Sequence, residues 1–105
     1  MKLLRVGDAA VRVDEEGYLL DRADWSEDLA RALAADAGIA NLTERHWKVL
    51  EFCRRFDEER GESPGIREIS AGTGVPMREL YLLFPRGPGK LAARIAGLPK
   101  PKSCV

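Results

Sequence analysis

Cys104 is the residue of this chain best placed to do covalent chemistry. It is second from the end of the sequence, in Gly97-Leu98-Pro99-Lys100-Pro101-Lys102-Ser103-Cys104-Val105. A thiolate is a strong nucleophile, and local charge sets how much of it exists. Lys100 and Lys102 favour the thiolate, and the carboxylate of Val105 opposes it. Gly97 is a natural helix stop. Pro99 and Pro101 exclude helix and favour extended, polyproline-like backbone. Stretched out, Gly97 to Cys104 reach about 26 Å, enough for a sulfur to enter a partner's pocket while the body stays outside. The residues alone allow two readings. The thiol carries a persulfide or forms a mixed disulfide, or it is an incidental cysteine in a terminal tail.

The other reactive residues have weaker contexts. Cys53 lies on an apolar helical stripe and reads as a small core hydrophobe. His46 is the only histidine, and no CxxC, HExxH or His-rich tract offers it metal-binding partners. Its position in a first helical turn suits a hydrogen-bonding role. The cluster Asp14-Glu15-Glu16 reads as a solvated turn, and no nucleophile-base-acid set can be named. Gly87-Pro88-Gly89 lacks the spacing and the Lys-Ser/Thr ending of a phosphate loop. No metal or cofactor is expected.

These residues need a scaffold. Leu3 to Val6 and Ala9 to Val13 read as short strands around Gly7-Asp8, and Asp14 to Gly17 as a turn before Tyr18-Leu19-Leu20. A hairpin or a three-stranded ribbon fits and must pack on helices. Asp24, with Glu27 three residues on, predicts a capped helix start, with Trp25, Leu29 and Leu33 along one face and Gly38 as its stop. Thr43 caps a long helix over about 44–60, where Val49, Phe52, Cys53 and Phe56 follow helical spacing. Ser63-Pro64 is expected to open a shorter helix that Gly72 and Gly74 break. Val75-Pro76 starts another, ended by Pro85, and Lys90 to Ala96 form the last. Trp25 and Trp47 are expected in the core.

The segment from Ile66 to Phe84 has the outline of a helix-turn-helix. Its second helix begins Met77-Arg78-Glu79-Leu80-Tyr81, with one basic residue beside an acidic one, so packing is the better reading than DNA readout. The composition agrees. Lysine plus arginine equals aspartate plus glutamate at 17 each, with no basic excess. At 105 residues, 45% of them hydrophobic, one domain with one modest core is expected. No apolar run approaches the roughly 18 residues of a membrane span. Two cysteines suggest a reducing compartment and a cytoplasmic protein.

Several segments taken together resemble the DsrC/TusE family of small sulfur-carrier proteins. They are Asp14-Glu15-Glu16-Gly17-Tyr18-Leu19, Asp24-Trp25, and Leu42-Thr43-Glu44-Arg45-His46-Trp47. Leu83-Phe84-Pro85-Arg86-Gly87-Pro88, Ile95-Ala96-Gly97-Leu98-Pro99-Lys100-Pro101 and the penultimate Cys104 complete the set. The resemblance implies a mainly α fold. It would be a small orthogonal helical bundle with an N-terminal β-hairpin at about 1–20, a helix-turn-helix-like pair and a flexible C-terminal arm. The domain is expected over 1–96 and the mobile arm over 97–105.

The resemblance also implies that Cys104 accepts sulfane sulfur as a persulfide and passes it on. The chain would then be a sulfurtransferase-type carrier rather than a stand-alone enzyme. Its expected partners are an upstream sulfurtransferase complex and a downstream acceptor. That acceptor is a tRNA thiolase on the route to 2-thiouridine, or alternatively dissimilatory sulfite reductase or another sulfur-oxidation complex. Arg86, Lys90, Arg94, Lys100 and Lys102 are the candidate docking residues. DsrC-like members carry a second arm cysteine eleven positions before the penultimate one, and here that position is Ala93. The substitution favours a one-thiol, TusE-like carrier. A helix-turn-helix regulator and a structural subunit without sulfur chemistry remain the rival readings. Neither a membrane association nor direct nucleic-acid binding is expected.

Overall fold

The N-terminal hairpin forms because two apolar runs flank a residue suited to positive φ. In the computed structural model, which describes residues 1–102, strand β1 (Lys2–Val6) pairs antiparallel with β2 (Ala9–Val13). Gly7 sits at φ +60, the torsion a tight two-residue hairpin turn demands. The register places Lys2 opposite Val13 and Val6 opposite Ala9. No full third strand forms after it among the described residues. The chain turns at Asp14, whose Oδ1 accepts the backbone N–H of both Glu16 and Tyr18, and only Leu19 returns to bridge Val13.

Five helices complete the described fold: α1 (Glu27–Asp36), α2 (Glu44–Arg60), α3 (Ile66–Thr73), α4 (Met77–Leu83) and α5 (Pro88–Ile95). Helix α2 matches the expected span. Thr43 caps it, and His46 completes a reciprocal capping box in the place usually held by Glu or Gln. Gly61 closes it at φ +72.

Three boundaries differ from the sequence expectation. Helix α1 is capped by Ser26, whose Oγ accepts from Leu29 N–H, and not by Asp24. Asp21 instead caps a short 3-10 turn over Arg22–Asp24, and Trp25 stays extended after it. Helix α3 starts at Ile66 after Gly65, with Glu68 reaching back to the Gly65 N–H, so Ser63-Pro64 precedes the helix. Helix α5 starts two residues earlier than expected, with Pro88 in its first turn, where a missing N–H costs no hydrogen bond.

Gly72 does not break α3 either. It lies within the helix, where a Cβ would come 2.1 Å from the Phe52 ring. The bare backbone lets α3 pack against α2 at that point. Gly74, at φ +78, is the true stop. The α3–α4 pair thus has helix-turn-helix order, but the outer side of α4 exposes Met77, Tyr81 and Leu82. Glu79 is held by a two-pronged ion pair from Arg45, both contacts 2.7 Å. Arg78 is the one basic residue of α4 and is exposed. A largely apolar face with a single cation is a poor reader of phosphates and base edges, and the DNA-regulator reading finds no support there.

Helix α5 is the centre of the molecule. It packs against α1, α2, α3 and α4. Its inward residues Ala92, Ala93 and Ile95, with Ala96 after them, are almost completely buried. Small side chains allow four helices to approach one short helix. Its polar residues Lys90 and Arg94 keep to the opposite side. Among the described residues no helix is long and apolar enough to cross a membrane.

Candidate functional site

The root of the arm is built from the end of α5. The last carbonyls of a helix have no partner within it and must find one elsewhere. Here each is accounted for. Leu98 N–H donates to Ala93 C=O at 2.9 Å, and Gly97 N–H donates to Arg94 C=O at 3.2 Å, the two bonds of a Schellman motif with Gly97 at φ +74. The next two carbonyls are satisfied by side chains from elsewhere. Trp25 Nε1–H donates to Ile95 C=O at 3.0 Å, and Arg54 donates to Ala96 C=O at 2.7 Å. The Arg54 guanidinium also lies over the Trp25 ring, 3.9 Å from its centre. Burial lowers the pKa of Arg54 from its ordinary value, with Glu58 and Asp57 opposing.

Beyond Gly97 the described part of the arm is seated on the body. Leu98 is 2% exposed and Pro101 is buried. Ser63 donates its hydroxyl to Pro99 C=O. Lys100 pairs with Glu16 at 2.8 Å, and Glu16 holds its ammonium pKa above the ordinary value. Lys102 pairs with Glu62 at 3.3 Å. Ser103, Cys104 and Val105 lie outside the described residues, and so does the expectation that Cys104 carries sulfur.

Three of the expected docking residues come together. Arg86, Lys90 and Arg94 recur every four residues and line one cleft of about 510 Å3 with Tyr18, Asp36 and Leu91. None of the three has an ion-pair partner among the described residues. Arg86 sits at φ +67, the only non-glycine with positive φ among the described residues. Arg94 lies against Gly17, where an added Cβ would meet its Cδ at 3.1 Å. Burial first, then Glu16, raises the Tyr18 phenol pKa, and its hydroxyl lies 3.5 Å from Lys90 C=O. Lys100 joins this edge through Glu16, which also lines the cleft. Lys102 does not: its partner, Glu62, lies just past the far end of α2.

The remaining candidates have structural places. Cys53 is 1% exposed, and burial pushes its thiol up to about 12, which keeps it protonated and unreactive. Ala93 is equally buried, facing the other helices. His46 is buried as well. Its Nδ1 accepts from Thr43 N–H at 3.0 Å, which leaves Nε2–H to donate to Leu83 C=O at 2.9 Å. Its ring meets Phe84 edge-on at 5.2 Å. Trp47 is half-buried with Arg31 over its ring.

The sequence reading missed Trp25 and Arg54 as a pair, and Ser63, Glu16 and Glu62 as arm contacts. The signal for Trp25 was its indole N–H, which needs a partner wherever the ring is covered. No local signal marked the others, because their partners are 36 to 84 residues away.

Similarities to known proteins match this arrangement. A family described as DsrC like protein matches residues 5–105. The chain is 46% identical over 102 residues to a Sulfurtransferase TusE of Pectobacterium atrosepticum, covering 90% of this chain and 93% of that protein. It is 40% identical over 93 residues to the gamma subunit of dissimilatory-type sulfite reductase of Nitratidesulfovibrio vulgaris, covering 89% of each. Its fold superposes with a TM-score of 0.86 on the oxidized gamma-subunit of the dissimilatory sulfite reductase (DsrC) from Archaeoglobus fulgidus. That match has 38% identity and covers 99% of this chain and 100% of the other. A central helix ending in a fully capped root, a seated arm, and similarity along nearly the whole chain agree: the chain belongs to the DsrC-like family.

Proposed function

We propose that the protein is a sulfur-relay carrier and that Cys104 is its carrying thiol. The observation that carries this reading is the match to the DsrC-like family through the end of the chain, together with 46% identity to a sulfurtransferase. The chemistry needs one thiolate and no outside oxidant. The Cys104 thiolate attacks the outer sulfur of a donor persulfide R–S–SH. A new S–S bond forms to Cys104, and the donor S–S bond breaks. The electron pair leaves on the donor as its thiolate, and the proton stays within the pair of products. Passing the sulfur on repeats the step with Cys104 as leaving group.

The buried Cys53 and Ala93 support a single-thiol carrier. In the seated conformation no second thiol stands ready to close a disulfide with Cys104. Arg86, Lys90 and Arg94 are proposed to meet an acidic surface of the partner. Lys100 and Lys102 hold the arm through Glu16 and Glu62 until it is drawn out, and then join the docking set. From Lys102 the two remaining residues extend the sulfur by at most about 7 Å. Release of Leu98 and Pro101 restores the reach of about 26 Å. The compartment proposed is the cytoplasm, whose reducing poise keeps a lone working thiol free.

Sulfur loading tests the assignment. After incubation with glutathione persulfide, mass spectrometry should show one added sulfur on the wild-type chain and on Cys53→Ser, and none on Cys104→Ser. A gain that persists in Cys104→Ser and vanishes in Cys53→Ser refutes it.

The acceptor proposed first is the relay toward tRNA 2-thiouridine, favoured by the similarity to TusE and by Ala93. The second reading, a partner of sulfite reductase, is favoured by the 40% identity to a gamma subunit. Loss of tRNA 2-thiouridine in a deletion strain, restored by wild type and not by Cys104→Ser, selects the first.

A further inference from the structure

We infer that Trp25 and Arg54 are positioning residues for the transfer, a clamp that fixes the point and direction in which the arm leaves the body. The inference rests on the carrier reading for its purpose and not for its geometry. Residues from three parts of the chain meet at the root. Trp25 precedes α1, Arg54 is on α2, and Ile95 ends α5 with Ala96 and Gly97 directly after it. The two side chains take the two α5 carbonyls that the Schellman bonds leave open. Each also fixes the other, since the guanidinium lies 3.9 Å from the indole ring centre.

The indole edge closes the third side of the root. A Cβ on Gly97 would sit 2.5 Å from Trp25 Cδ1, so the ring touches the backbone of the residue where the helix gives way to the arm. Helix ends normally fray, and their carbonyls take water. An end whose every carbonyl is taken, half of them by side chains of other elements, is held far more firmly than a helix stop requires. Gly97 alone can end α5, and its Schellman bonds complete the stop. The additional grip orients the arm. An error of a few degrees at Gly97, multiplied over about 26 Å of arm, moves the sulfur by an ångström or more. Sulfur transfer needs its reacting atoms within about 3–3.5 Å.

The test reads arm position directly. In a Cys104→Ser background, nitroxides are attached at Glu44→Cys and Ser103→Cys, which leaves the Lys100 and Lys102 ion pairs in place, with Cys53 buried and unlabelled. Pulsed EPR then gives the distance from the start of α2 to the arm. Trp25→Phe keeps the ring and removes the N–H, and Arg54→Met keeps the stem and removes the guanidinium. Each should broaden the distance distribution at least twofold or shift its peak, while amide exchange at Val49 and Leu50 stays at the wild-type rate. Distributions that superpose on wild type in both variants overturn the clamp. So does a broadening that appears only together with faster exchange at Val49 and Leu50, because the role is then general packing. Glutathione persulfide loading of Cys104 in otherwise wild-type chains reports the carrier reading separately. Failure there leaves the EPR result to decide the clamp alone.

Discussion

Gly97 and Trp25 are packed so closely that no side chain fits between them: a Cβ at position 97 would meet the indole Cδ1 at 2.5 Å and Cγ at 2.9 Å. Gly97 also has φ +74, where a Cβ is strained. Gly97→Ala therefore combines backbone strain with a steric clash. The expected loss is about 2–4 kcal/mol, read from urea unfolding. Gly38 makes a useful control, since it too has positive φ but a Cβ there meets nothing within 4 Å. Gly38→Ala should lose only the strain part, about 1–2 kcal/mol. Equal losses at both positions would show that the Trp25 contact contributes nothing.

His46 ties the start of α2 to the end of α4 through Leu83. Its removal leaves a buried cavity, an open Leu83 carbonyl and an incomplete cap. His46→Ala should lose about 2–4 kcal/mol. Thr43→Ala, which removes only the outer half of the cap, should lose about 1 kcal/mol. Persulfide loading at Cys104 should be unchanged in folded His46→Ala, because the imidazole stands in the scaffold and not in the chemistry.

The Cys53 thiol gives a stability signature at high pH. Burial raises its pKa from 9.0 to about 12. The folded state thus binds a proton that the unfolded state releases. Its contribution is complete below about pH 9 and is lost as pH rises from there through about 12. The slope can reach about 1.4 kcal/mol per pH unit. Tyr18, also raised by burial, acts with the same sign, so the comparison must be a difference. Wild type should lose stability more steeply than Cys53→Ala between about pH 9 and 10.5. Parallel curves would place Cys53 in contact with water.

Asp57 is 2% exposed, and both its carboxylate oxygens face Arg22, which is 55% exposed. Removing the arginine strands a buried charge. Arg22→Met should lose about 2–3 kcal/mol, tempered because Arg22 itself is half in water. The double variant Arg22→Met/Asp57→Asn should recover part of that loss. Additive losses in chemical denaturation would mean the two groups do not interact.

Much of the fold was legible because its signals are local. Helix α2 carries a cap at Thr43, a regular apolar stripe and a stop at Gly61, and all three operate within one element. Arg86, Lys90 and Arg94 were expected as docking residues, and the structure lines them along one cleft. The missed boundary at α1 shows the limit. Asp24 and Ser26 are both good caps, and Ser26 is used because Trp25 stays extended while its N–H reaches Ile95, seventy positions away. Gly72 read as a breaker since its value lies in Phe52, on another helix.

Residue type and order alone set the chemical possibilities: one thiol near the end, proline-stiffened backbone before it, and alanine at position 93. Folding does not alter those facts. Gly97 marked in the sequence where the arm begins, and what holds the arm came only from the packing. Trp25, Arg54 and Gly97 meet because α1 and α2 pack on α5, and Glu16 and Glu62 take the arm lysines because the hairpin turn and the end of α2 lie beside it. Hydrogen bonds and ring contacts form over about 3–4 Å of space, whatever distance along the chain separates their partners.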